Sequence, residues 1–140
     1  MTNLDQNKQI IQNFVQVVWE GQNLDGLKDF WTEDCVNHAM PGADNQGLAM
    51  LRAYHESFFT VFFSAFSNLQ FEIVQQVAEA DRVVTYISTQ GTHSGAFYGI
   101  PPTGKRISTS VMRIDRIRDS KISEHWSVSD AAGLVQQIQA

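Results

Sequence analysis

A single cysteine, three prolines and only ten basic residues among 140 positions are the scarcities of this chain. With Cys35 alone, no intrachain disulfide or cysteine-built zinc cluster can form, and nothing argues for an oxidising compartment. The ten Lys and Arg face fifteen Asp and Glu, for a net charge of −5. The one basic concentration, Arg113, Arg116, Arg118 and Lys121, alternates with Asp115 and Asp119, which disfavours nucleic-acid binding. Long apolar runs are also missing: Phe58 to Phe66 falls short of the roughly 20 residues needed to cross a bilayer. The start, "MTNLDQNKQI", lacks the basic and apolar regions of a signal peptide, so a cytoplasmic protein is expected. No G-x-S-x-G elbow, Gly-rich phosphate loop or H-E-x-x-H helix is present.

What the chain does have is an apolar fraction of 43%, with nine Phe, three Trp and three Tyr. That is the composition of a folded domain with an aromatic interior, and the length suits one domain over residues 1–140. Ile10, Ile11, Phe14, Val15 and Val18 recur at helical spacing behind the possible caps Asp5 and Asn7, with Gly21 placed to end the helix. "NLDGLKDFW" reads as a short second helix, and "CVNHAM" as a short strand closed by Pro41 and Gly42. From Gly47 to about Phe66 an apolar stripe through Leu51, Tyr54, Phe58 and Phe62 predicts a long helix, though "FFTVFF" could end it irregularly. Thereafter the period is two. "LQFEIVQQV", "RVVTYISTQGTHSG", "KRISTSVMRIDRI" and "KISEHWSV" are four strands suited to antiparallel hairpins, and "DAAGLVQQIQA" is a terminal helix. Helices gathered against one face of such a sheet define an α+β fold.

Four histidines are candidates for chemistry. His55 reads as an ordinary helix residue, whereas His38, His93 and His125 fall on strands or their ends. Alternation puts His93 on one face with Thr85, Ile87 and Thr89, a face suited either to a pocket rim or to a simple backbone contact. In "KISEHWSVSD", alternation sets Ile122, Glu124, Trp126 and Val128 on the side that should be buried. A carboxylate there must be paired, solvated in a cavity, or protonated, and Arg113 or Arg106 could pair with it. Asp130 is either a second acid on that face or the N-cap of the last helix. No two histidines have the close spacing of a readable metal site.

The segments "NHAMPG", "GTHSGAFYGIPPTGKRIS" and "KISEHWSVSDAAGLVQQI" resemble the SnoaL-like polyketide cyclase (ester cyclase) family, within the nuclear-transport-factor-2-like superfamily. The resemblance implies a curved antiparallel sheet wrapped around the N-terminal helices, forming a cone with an internal cavity. It also implies an intramolecular aldol condensation on a small hydrophobic carbonyl or ester compound, with an aspartate as acid/base and no metal, cofactor or covalent intermediate. Many relatives carry an acid directly after the tryptophan of E-H-W; here that residue is Ser127. Asp130 and Glu124 are then the acids of the segment, with His93 and His38 as donors facing the cavity. His125, Trp126, Phe97, Tyr98, Tyr54 and Trp19 are the expected substrate contacts. The same cavity would also suit a non-catalytic binder of apolar ligands, or a hydrolase or isomerase. A homodimer is expected through the alternating face of "RISTSVMRIDRI". The Gly/Pro stretch 99–104 is expected to form an ordered lip over the pocket.

Overall fold

The computed structural model describes residues 2–40 and 42–139. Pro41, expected to close the first strand, lies outside these. Helix α1 (Asn3–Phe14) is capped by Thr2 rather than by Asp5 or Asn7. The Thr2 hydroxyl accepts from the Asp5 amide while the Asp5 carboxylate accepts from the Thr2 amide, a reciprocal box satisfying two otherwise open donors. A π-helical segment (Val15–Glu20) continues it and ends at Gly21. After a 3₁₀ turn at Leu24–Gly26 and the single-turn α2 (Leu27–Phe30), strand β1 (Trp31–Asn37) begins four residues before the expected Cys35. Helix α3 (Leu48–Ala65) runs unbroken through "FFTVFF". Here the apolar stripe outweighs the β propensity of its aromatic residues.

Strands β2 (Phe66–Glu79), β3 (Arg82–His93), β4 (Arg106–Arg118) and β5 (Lys121–Ser129) form the antiparallel meander, and α4 (Ala131–Gln139) follows. The sheet order is β1-β5-β4-β3-β2, with β1 parallel to β5 at one edge. Ala80, Asp119 and Ser120 take left-handed conformations in the two tight hairpin turns, the backbone that matches strand twist. The sheet is curved and unclosed, and one face packs on α1 and α3. Ile11, Phe14, Val18, Trp31, Leu51, Val83, Ile87 and Ile122 make that core, each worth about 1.5–3 kcal/mol on burial. A second cluster joins Phe66, Phe97, Ile107, Leu134 and Ile138, which docks α4 and the 94–105 loop onto the end of α3.

Strand β5 corrects one expectation. Asp115 pairs with His125 and Arg116 with Glu124, but Ile117 pairs with Ile122, so Ser123 is an extra residue in the ladder. This bulge shifts the alternation by one. Ile122 remains inward while Glu124, Trp126 and Val128 turn outward, and Ser123, His125 and Ser127 take the inner side. The faces assigned by strict alternation from Ile122 are therefore reversed beyond the bulge.

Candidate functional site

A pocket of about 560 Å³ lies between α3, the inner face of β3 to β5, and the 94–105 loop. Its wall is largely aromatic, from Trp19, Tyr54, Phe58, Phe62 and Phe97, with Tyr98 at the rim. Of the expected substrate contacts, Trp19, Tyr54, Phe97, Tyr98 and His125 line this pocket.

Most of the polar part of the wall comes from β4 and β5. On β4, alternation points Val111, Arg113, Asp115 and Ile117 inward, so an arginine and an aspartate stand on the buried side of "VMRIDRI". Arg113 donates from Nε to Asp115 Oδ2 at 2.7 Å and from Nη2 to Oδ1 at 2.8 Å. This two-pronged contact is the geometry in which a buried ion pair can offset its desolvation. The guanidinium also lies over the rings of Phe14 and Trp19, at 4.9 and 5.3 Å from their centroids. Burial alone would raise the Asp115 carboxyl, but Arg113 and His125 overcome it and hold it down at about 2.

His125, directly opposite Asp115 in the ladder, places Nδ1 2.9 Å from Asp115 Oδ1, and its Nε2 lies 3.2 Å from Ser127 Oγ. Desolvation, and then the Arg113 charge, depress the imidazole below its ordinary value despite the pull of Asp115. The ring is thus neutral near pH 7. An ionised Asp115 can only accept, so Nδ1 carries the proton and Nε2 offers its lone pair to the Ser127 hydroxyl. The result is a chain, Arg113 to Asp115 to His125 to Ser127, of which Arg113, His125 and Ser127 line the pocket.

Two further wall residues belong to the site. Asn37, fully buried, is the register partner of His125 on β1. Its Oδ1 accepts from the Ala39 amide, fixing Nδ2 as the donor end, and Nδ2 has no partner among the described residues. His55 on α3 is buried and satisfied within its helix: its Nδ1 donates to the Leu51 carbonyl at 3.0 Å, and desolvation lowers it to about 4.

The other expected site residues stand elsewhere. Glu124, on the outer face, accepts from His38 Nε2 and from Arg116 Nη1, each at 2.9 Å. The His38 and Arg116 hydrogen bonds lower its carboxyl, so its ion-pair partner is Arg116 and not Arg113 or Arg106. His38 stacks on Trp126 at 4.7 Å on that same outer side, and neither ring lines the pocket. Asp130 is exposed and accepts from the Gly133 amide at 2.9 Å, as the cap of α4. His93 is buried behind Phe66, outside the pocket wall. Its Nδ1 accepts from the Thr103 amide at 3.2 Å and its backbone bonds Lys105 and Gly104, so it ties down the lip. Pro101 and Pro102 lie in that lip, whose Phe97 and Tyr98 reach the pocket.

In the sequence Asp115 stood out only as part of an alternating charged segment, and Arg113 only as that and as a possible partner of Glu124. The period-two argument applied to Glu124 would have found them on "RISTSVMRIDRI", where no bulge intervenes between Ile107 and Arg116. Asn37 carried no signal, because its parallel pairing with His125 is not local in sequence.

Known proteins agree with this architecture. A curated relative, nogalonic acid methyl ester cyclase of Streptomyces nogalater, is 36% identical over 56 residues, 40% of this chain and 42% of that one. The match thus spans less than half of that relative's length. Among solved structures, AclR of Streptomyces galilaeus, a candidate hydroxylase, is 30% identical with a TM-score of 0.78, covering 98% of this chain and 83% of its own. A candidate polyketide cyclase from Acidithiobacillus ferrooxidans shares the fold at a TM-score of 0.82 and 24% identity, over 99% and 98% of the two chains. The profile of the SnoaL-like polyketide cyclases matches residues 9–138, and the chain belongs to that family.

Proposed function

We propose that the protein is a cofactor-independent cyclase, closing a ring by intramolecular aldol condensation in a small apolar carbonyl or ester compound, with His125 as its acid/base. The observation that carries this reading is a neutral imidazole held by a buried aspartate, with Nε2 on the wall of an aromatic pocket. His125 replaces Glu124 and Asp130, which stand outside that pocket.

Nε2 takes a proton from the carbon beside a carbonyl, leaving an enolate and an imidazolium whose Nδ1–H faces Asp115. The enolate carbon attacks the second carbonyl of the same molecule, and the new alkoxide recovers a proton from Nε2. This arrangement is electrostatically economical. Arg113 and Asp115 neutralise each other, and among the described residues of the wall there is no carboxylate and no fixed cation but Arg113. An uncharged substrate therefore enters a neutral site, and charge separates only as the reaction proceeds, where Asp115 stabilises the imidazolium. Arg113, the Asn37 amide and the Tyr54 hydroxyl, which burial keeps protonated, are donors for the enolate oxygen. The aromatic wall would fold the chain toward its reactive geometry.

The test is incubation with nogalonic acid methyl ester, followed by mass spectrometry and chiral chromatography. Ring closure above the uncatalysed rate supports the reading; tight binding without turnover favours a carrier of apolar ligands, the alternative to which Ser127 in place of the family acid points.

We also infer a homodimer through the outer sheet face. Tyr86, Met112 and Val128 are neighbours across three strands, beside Ile114 and Val77, and all five are exposed. Such a contiguous apolar patch on a curved sheet fits a second copy of itself. Sedimentation should give a dimer that Met112→Asp converts to monomer; a wild-type monomer at micromolar concentration overturns this.

A further inference from the structure

We propose that the pocket also hydrolyses small apolar carboxylic esters, with Ser127 as a covalent nucleophile activated by His125 and Asp115. Ser127 Oγ, His125 Nε2, His125 Nδ1 and Asp115 Oδ1 follow one another at 3.2 and 2.9 Å. This is the order of hydroxyl, imidazole and carboxylate that acyl transfer requires, built here on two adjacent strands. His125 and Ser127 lie two residues apart on one face of β5, and Asp115 faces His125 across the ladder. Arg113 holds both carboxylate oxygens, Oδ1 included, and keeps the group an acceptor only, so the proton of the imidazole sits on Nδ1.

A second, independent observation is Asn37. Its Nδ2 is a fully buried donor of fixed orientation, unpartnered among the described residues, in the wall beside His125. A buried donor held this way suits an oxygen that becomes negative during reaction.

The chemistry needs only the ester and water. Ser127 Oγ attacks the ester carbon as Nε2 removes the hydroxyl proton, and the carbonyl oxygen takes the negative charge near the Asn37 amide. The tetrahedral adduct expels the alkoxide, which leaves as alcohol with the proton from Nε2. Water then attacks the acyl-serine, giving its proton to Nε2, and collapse releases the carboxylic acid while Ser127 recovers that proton. The role played by Ser127 is distinct from ring closure, which forms no bond to the protein.

The test uses the full chain with 4-nitrophenyl butyrate and, separately, with a fluorophosphonate, read by intact mass and peptide mapping. Hydrolysis above the buffer rate, with one phosphonyl group on Ser127, is the expected result; Ser127→Ala should lose the adduct and at least a hundredfold of the hydrolysis while keeping its far-ultraviolet spectrum. No adduct on the wild-type protein, an adduct on another residue, or unchanged hydrolysis in Ser127→Ala overturns the proposal. Labelling of the wild type does not depend on any variant folding, and it succeeds or fails independently of ring closure.

Discussion

At the scale of single residues, the site depends on three side chains whose states set one another. Arg113 keeps Asp115 ionised, Asp115 fixes the His125 proton on Nδ1, and burial with the Arg113 charge keeps that imidazole neutral. Activity should therefore be flat at neutral pH and fall as pH drops through a value below 6.5, where Nε2 becomes protonated; a kcat/KM profile whose acid limb lies above 6.5 would contradict this assignment. Replacing Asp115 leaves an arginine buried and unpaired, so Asp115→Ala should cost about 3–5 kcal/mol. Urea unfolding followed by tryptophan fluorescence measures it. Glu124 has the opposite character: half-buried on the outer face and shared between His38 and Arg116, it contributes little to stability.

At the scale of elements, most of the architecture is legible because its signals are local. The period of two from Leu69 onward marks the four meander strands, and the stripe through Leu51, Tyr54, Phe58 and Phe62 marks α3. What escaped was non-local or irregular. The parallel docking of β1 on β5 leaves no trace in either segment, and it is what brings Asn37 to His125. The single extra residue at Ser123 reverses the face of Glu124, and a bulge has no distinctive composition here. The lip shows how local chemistry and packing combine. A side-chain carbon added at Gly95 would lie 2.1 Å from the Ser64 carbonyl oxygen at the end of α3, so the loop approaches too closely for any other residue. Gly95→Ala should thus lower the melting temperature by several degrees and loosen the loop, seen as faster amide exchange over residues 94–105; a variant as stable as wild type would show that the lip is not seated there. Asp130→Ala removes the α4 cap and should cost about 1 kcal/mol.

At the scale of the whole molecule, the interior holds groups that acid will charge. His55 is depressed from 6.5 to about 4 by burial. Between those values the unfolded chain binds a proton that the folded chain refuses, so stability is full above pH 6.5 and declines as pH falls toward 4. The loss is on the order of 3 kcal/mol for this group, and His125 adds to it in the same direction. Asp115, held down at about 2, keeps its contribution until pH drops below 3.8. Denaturation midpoints from pH 8 to pH 4 should fall in the wild type and fall less in His55→Gln; an equal fall in the two would contradict this.

The central claim is that the pocket's base is His125 rather than either carboxylate of "KISEHWSVSD". The direct measurement is the initial rate of ring closure of nogalonic acid methyl ester by wild type, His125→Ala, Glu124→Gln and Asp130→Asn. His125→Ala should lose a factor of about 10² to 10⁴, with Glu124→Gln and Asp130→Asn within about threefold of wild type, the scatter a surface change of under about 0.7 kcal/mol allows. A near-normal rate in His125→Ala, with Glu124→Gln or Asp130→Asn inactive but folded, would contradict it.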